Sequence, residues 1–307
     1  MQIITTLEEM KISSPSAVAI GKFDGIHMGH RQLLGEIIAK KKVGLCAVVF
    51  TFNPSPATLF SGVKEKELTS IEEKREIFRK MGIDVLVEFP LTFETAATTK
   101  EVFVEDILVR RLNAKFIAAG TDLSFGKKGE GNSAYLFDAG QEFGFEVKII
   151  EKITYKNEII SSTLVREAIA EGNVRKANYM LGSPYFIHGT VERGNQIGRT
   201  IGFPTVNILP CEEKLLPPNG VYLSEVIVGN RIFEAITNVG CKPTVTDECK
   251  IFVESYLYNF HENIYGEKII VYLLDFMRKE KKFDSLEELK NQLHKDMQRG
   301  QKMIAEV

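Results

Sequence analysis

The stretch Gly21-Lys22-Phe23-Asp24-Gly25-Ile26-His27-Met28-Gly29-His30 has residue types and spacing suited to chemistry. Its glycines at 21, 25 and 29 let the backbone approach a ligand closely. His27 and His30 can donate hydrogen bonds to phosphate oxygens. The stretch sits where an apolar strand gives way to a helical pattern, and the N–H groups at a helix start favour an anion. Donors arranged in this way stabilise the charge that develops when a nucleophile attacks an α-phosphate and pyrophosphate leaves. Zinc ligation by the two histidines is a competing reading, but no third and fourth ligand stand at a suitable spacing. A plain helix start or a tight turn accounts for part of the motif. Neither accounts for strand, glycine loop and both histidines together.

The elements that must hold this loop follow from hydrophobic periodicity. Ser16 to Gly21 reads as a buried strand, and a helix follows from about Gly29 to Lys42. Leu45 to Phe52, Asp84 to Phe89, Lys115 to Gly120 and Glu146 to Ile150 read as further strands. Ser70 and Glu73 form a capping box for a helix to about Met81, and Thr98 with Glu101 is expected to cap another through Arg111. A glycine-rich loop is expected after Gly120. Such alternation predicts a parallel sheet covered by helices, with ligands beyond the carboxyl ends of its strands. Ser161 to Gly182 reads as two short helices broken at Gly172-Asn173.

After Gly182-Ser183-Pro184 the period changes. FIHGTVE, GVYLSEVIV, RIFEAIT, IFVESYLYNF and KIIVYLLDF are strand-like, and Gly229-Asn230 joins two of them at hairpin spacing. An antiparallel barrel or sandwich is expected, closed by a helix that opens at the Ser285–Glu288 capping box and runs to about Lys302. Gly194 to Thr200 superficially matches a Walker A loop. It is a residue short, has Arg199 for the lysine and leads into strands, so it is rejected as a P-loop.

These motifs resemble a known family. The GKFDGIHMGH stretch is similar to the nucleotidyltransferase module of bacterial bifunctional riboflavin kinase/FMN adenylyltransferases (FAD synthetases). The likeness continues through Thr51 to Pro56, Gly120-Thr121-Asp122-Leu123-Ser124-Phe125-Gly126 and Ile160-Ser161-Ser162-Thr163-Leu164-Val165-Arg166. In the second half, Gly198-Arg199-Thr200-Ile201-Gly202-Phe203-Pro204-Thr205-Val206-Asn207, then PPNGVY, NVGCKPT and FVES, resemble the riboflavin kinase module in the same order. Ser55 stands where the family usually has histidine, Leu123 where it has an aromatic, and Val245 where it more often has phenylalanine.

The resemblance implies a Rossmann-like domain over 1–182 and a small antiparallel β-barrel with a terminal helix over 183–307. It places His27 and His30 on ATP phosphates, with Gly21, Phe23, Asp24, Gly25, Gly29, Asp122, Ser162, Thr163 and Arg166 around the nucleotide and flavin. By itself the Ser162-Thr163 segment reads equally well as an ordinary N-cap. In the barrel, Gly198, Arg199, Gly202 and Pro204 would form the nucleotide loop. Thr205 and Asn207 would offer oxygens to Mg²⁺, and Glu254 would be the proton acceptor. The substrates and products implied are riboflavin, FMN, FAD and ATP. A riboflavin kinase with a weakened adenylylating half is the alternative, and a non-catalytic flavin or nucleotide sensor is a remoter one.

Composition agrees. The 307 residues suit two domains of ~100–200 residues each. A net charge of −2 gives no electrostatic case for nucleic-acid or membrane partners. No apolar run approaches the ~20 residues of a membrane span, and the N-terminus lacks a signal-peptide core. The expected location is the cytoplasm, and a homo-oligomer is left open. Cys46, Cys211, Cys241 and Cys249 show no metal spacing and are expected to be reduced thiols.

Overall fold

A computed structural model of the chain describes residues 1–193, 202–243 and 249–305. Its backbone divides into two compact units, Met1–Ser162 and Thr163–Val307.

The first unit is built on a six-stranded sheet in the order β1 (Gln2–Ile4), β4 (Val85–Pro90), β3 (Cys46–Asn53), β2 (Ser16–Ile20), β5 (Ala114–Gly120) and β8 (Glu146–Ile150). Every pairing in it is parallel. All of β2 is buried, as expected of a central strand covered on both faces. Alternate residues serve opposite cores. Val18, Ile20, Val48 and Phe50 join one cluster, while Ala17, Ala19, Ala47 and Val49 join the other. Strands β3, β4 and β1 extend to one side of β2, and β5 and β8 to the other. The carboxyl end of β2 is therefore the point where the winding reverses, and there a ligand crevice opens.

Helix α1 (Met28–Ala39) leaves that point. Two small strands, β6 (Ser124–Phe125) and β7 (Gly131–Asn132), and a β9–β10 hairpin (Thr154–Tyr155, Glu158–Ile159) decorate the sheet. Helix α2 (Pro56–Ser61) is capped by Ser55, whose hydroxyl accepts from the Thr58 amide at 3.2 Å. Helix α3 (Ile71–Met81) opens on the Ser70–Glu73 capping box read from the sequence. The next helix begins as α4 (Lys100–Val102) and widens to a π-helix over Phe103–Arg111. Its cap is Thr99 rather than Thr98, since the Thr99 hydroxyl accepts from the Val102 amide. Helix α5 (Ser133–Phe143) occupies part of the region expected to be loop; Asn132 caps it by accepting from the Tyr135 amide at 2.9 Å.

The second unit begins with α6 (Ser162–Ala170), whose first residue closes the first unit, and α7 (Val174–Leu181). The break at Gly172-Asn173 falls where expected, with Asn173 capping α7. Six antiparallel strands then close a barrel in the order β11 (Tyr185–Glu192), β12 (Val206–Ile208), β15 (Cys249–Leu257), β14 (Arg231–Pro243), β13 (Gly220–Val228) and β16 (Lys268–Lys279). Strand β12 is the one the periodicity did not single out. Helix α7 is fastened to the barrel. Asn178 donates to the Leu273 carbonyl at 2.8 Å and accepts from the Tyr185 amide at 2.7 Å, and Arg175 pairs with Asp275.

Inside the barrel the Ser224, Thr237 and Ser255 hydroxyls form a chain, with oxygens 2.7 and 2.8 Å apart. All three residues are fully buried. Outside, helix α8 (Leu286–Ala305) packs on Val221, Leu223, Ile236, Tyr258 and Met277 through Met297, Met303 and Ile304. It is fixed by a forked ion pair from Arg278 to buried Asp296 and by the Tyr258 hydroxyl, which donates to the Met297 carbonyl at 2.8 Å.

Cys46 and Cys211 are free thiols. Cys241 is disulfide-bonded, which corrects the expectation of four reduced cysteines. The spacing argument tested for metal and small-scaffold patterns, not for a lone disulfide. Among the described residues no helix is long and apolar enough to cross a membrane.

Candidate functional site

The first site is assembled at the end of β2. Gly21 follows the strand, and a Cβ there would sit 3.1 Å from the Phe23 ring. Phe23 takes φ +51° and is fully buried, with its ring 5.2 Å from that of His30 and edge-on to Phe78. Asp24 organises the loop. Its Oδ1 accepts from the Leu68 amide at 2.9 Å and the Thr69 amide at 3.3 Å, while its carbonyl accepts from the Ser162 hydroxyl at 2.9 Å. Gly25 has φ +77°, a conformation that favours glycine, and donates to Thr69 Oγ1 at 3.1 Å. The loop is thus held from two sides by segments distant in sequence.

His27 is the N-cap of α1, with Nδ1 accepting from the His30 amide at 3.4 Å. That contact assigns the remaining proton of neutral His27 to Nε2. Gly29 makes the arrangement fit, because a Cβ there would lie 3.2 Å from His27 Cε1 and 3.3 Å from Nδ1. The two imidazoles stack with centroids 3.8 Å apart. Burial lowers the His27 pKa from 6.5 to about 4, against the opposing pull of Asp24 and Asp122. His30 is also held well below its ordinary value, first by burial and then by His27 and Lys74. His30 Nδ1 is buried with no hydrogen-bond partner among the described residues. An anion arriving here would meet two neutral imidazoles and the open start of a helix, and its charge would draw protons onto the rings.

Asp122 lies near enough to act on His27 electrostatically and pairs with Lys152 at 3.1 Å. Ser162 therefore serves the loop directly, while Thr163 and Arg166 follow it on α6. Leu123 is partly buried against the core. Lys74, Thr69 and Lys152 are participants the sequence did not single out. The capping box located α3, yet nothing in it said that Lys74 would stand near His30.

The second site lies on the outer face of the barrel. Pro204, Thr205 and Asn207 line a cleft of about 350 Å³. Phe260, His261, Asn263 and Tyr265 line it too, from a turn that the sequence assigned partly to strand. The Thr205 hydroxyl donates to Glu254 Oε1 at 2.6 Å. Asn207, buried on β12, stands directly opposite Glu254 in the ladder. With its proton committed to the carboxylate, what the Thr205 oxygen can still offer is its lone pairs. Gly202 precedes them with φ +87°. Gly198, Arg199 and Val245 lie outside the described residues. Among the described residues no cluster of three or more His, Cys, Asp or Glu could hold a metal ion.

A parallel α/β unit with HxGH at its winding reversal, joined to a barrel carrying Thr205, Asn207 and Glu254, defines a nucleotidyltransferase-like module followed by a kinase-like one. Comparison with known proteins makes the family explicit. Residues 9–164 match the FAD synthetase family and residues 181–304 the riboflavin kinase family. The bifunctional riboflavin kinase/FMN adenylyltransferase of Listeria monocytogenes is 38% identical over 99% of this chain and 96% of its own. The Escherichia coli K12 protein of the same name is 37% identical over 91% and 90%. The chain belongs to the bifunctional riboflavin kinase/FMN adenylyltransferase family. A solved structure from Streptococcus pneumoniae, described as a macrolide-efflux protein, has the same fold with a TM-score of 0.88. It is 32% identical and covers 98% of this chain and 99% of its own.

Proposed function

We propose that the barrel phosphorylates riboflavin and that the α/β unit adenylylates the FMN so formed, with functional modules over 1–182 and 183–307. The observation that carries the kinase half is the 2.6 Å hydrogen bond to Glu254 from Thr205, which with Asn207 lines a cleft. It aims the carboxylate that is to accept a proton. Glu254 takes the proton of the ribityl 5′-hydroxyl as that oxygen bonds to the γ-phosphorus of ATP, and ADP leaves. Thr205 and Asn207 would hold Mg²⁺ through their oxygens, and the ion when bound would neutralise phosphate charge. Few protein ligands are needed where phosphates supply the rest.

In the α/β unit a phosphate oxygen of FMN attacks the α-phosphorus of a second ATP, and pyrophosphate leaves. His27, His30 and the α1 N-terminus bind the oxygens on which charge accumulates. Asp24 fixes the loop, and with Asp122 it sets the field around His27. Ser55 and Leu123 have local structural work as a helix cap and a core contact, so no observation favours the kinase-only reading. The enzyme works in the cytoplasm.

The test is a chromatographic time course of the purified protein with riboflavin, ATP and Mg²⁺. FMN should appear first and FAD second. FMN that accumulates without FAD, even when FMN itself is supplied, overturns the adenylylating half. Absence of both products from folded protein overturns the whole reading.

A further inference from the structure

The outer face of the barrel places one more polar residue beside Glu254. In the ladder Glu254 stands opposite Asn207 on one side and opposite Asn238 on the other. Asn238 in turn stands opposite Val221, and Val221 opposite Arg278. Neighbours in register share a face. The flanking residues Thr237, Val239, Val253 and Ser255 are fully buried toward the barrel interior, so Glu254 and Asn238 point outward. The face therefore reads, strand by strand, amide, carboxylate, amide, apolar, with roughly 5 Å between successive strands.

Asn238 is half-buried. It has room on this face because residue 240 is glycine; a Cβ there would lie 2.9 Å from Asn238 Nδ2 and would run into the Glu280 carboxylate. Beyond Asn238 the same face becomes the apolar ground of Val221, Leu223 and Ile236 over which α8 lies. A phosphate acceptor with an aromatic head and a polyol tail, its terminal hydroxyl at Glu254, would run its tail along this face toward the margin of α8. Its intermediate hydroxyls would then cross Asn238.

We propose that Asn238 is a specificity-determining residue of the kinase unit, whose side-chain amide binds the internal hydroxyls of the polyol chain carrying the phosphate acceptor. An amide suits this task, since its oxygen accepts and its nitrogen donates, which matches neighbouring hydroxyls without adding charge. The proposal rests on Glu254 marking the place of phosphoryl transfer.

The experiment compares wild-type protein with Asn238→Leu on riboflavin and on 2′-, 3′- and 4′-deoxyriboflavin, all of which keep the 5′-hydroxyl. Wild-type should lose about 10- to 100-fold in kcat/KM on at least one deoxy analogue. The Leu variant should lose a similar factor on riboflavin, treat riboflavin and that analogue alike, and leave the KM for ATP unchanged. Discrimination as strong as in wild-type, or a loss confined to the KM for ATP, overturns the proposal. Should the Leu variant not fold, Asn238→Asp, of the same shape but without the amide donor, must narrow the discrimination; unchanged discrimination there also overturns it. FMN formation that survives Glu254→Gln marks failure of the underlying reading instead.

Discussion

The His27 and His30 rings lie face to face, with centroids 3.8 Å apart and planes 19° from parallel. Burial lowers the readiness of both rings to take a proton, and His27 lowers that of His30 further. Two imidazoles held this way stay neutral in the free chain, and an anion bound beside them would favour their charged forms. Their cost in the free chain depends on pH.

His27 has a folded pKa of about 4 against 6.5 when unfolded. The unfolded chain thus binds more protons between these values, so stability rises with pH across the window. The contribution is fully present above pH 6.5 and is lost as pH falls toward 4. For His27 alone this amounts to about 3 kcal/mol. Urea unfolding followed through the first unit from pH 4.5 to 7 should show the slope, and His27→Asn should flatten it.

His30→Ala should lower the rate of FAD formation from FMN by about 10²–10³-fold, the usual loss for a donor aimed at developing charge. FMN formation should stay within twofold of wild-type. A parallel fall of both activities in folded protein would show that the two sites are not independent.

Gly29→Ala separates stability from chemistry. Alanine in a helix is favoured over glycine by up to about 1 kcal/mol. The new methyl would, however, press on His27 Cε1 and Nδ1 at 3.2 and 3.3 Å. A melting temperature equal to or above wild-type, together with at least tenfold slower adenylyl transfer, is expected.

Glu254→Gln keeps the shape and the Thr205 contact but removes the proton acceptor. FMN formation should fall by about 10²–10⁴-fold, while riboflavin binding, read by quenching of its fluorescence, changes little. FAD formation from supplied FMN should persist. Turnover near normal would remove Glu254 from the mechanism.

Asp296→Ala tests how α8 is held. Asp296 is 4% exposed and receives the Arg278 fork. Removing one member of such a buried pair costs about 3–5 kcal/mol. The second unit should lose stability on that scale in thermal unfolding, and the riboflavin KM should rise as the helix loosens over Ile236 and Tyr258.

Much of this was legible in the sequence, for reasons that differ between the two halves. The HxGH loop is contiguous: His27 and His30 meet across the first helical turn, so spacing alone conveys the geometry. The cores of β2 and β3, 17–20 and 46–50, are apolar runs of strand length. The three-residue β12 is too short to carry a period, and the Thr98/Thr99 pair offers two equivalent caps. The roles of Asp24, Lys74 and Asn238 were hidden for a different reason. Asp24 works through amides at 68 and 69, and Asn238 gains meaning only when ladder register brings it against Glu254. Sequence order does not encode register until the strands pair.

The Ser224–Thr237–Ser255 hydroxyl chain bears on that pairing. A strand shifted by one residue exchanges its two faces. For β15 such a slip would turn Ser255 out of the barrel and carry Glu254 inside, leaving Thr237 with Ser224 alone and a carboxylate sealed in a greasy interior. Both faults are expensive. The hydroxyls thus act as a register key for assembly: a barrel that closes with this chain broken has also put its acid on the wrong side of the wall.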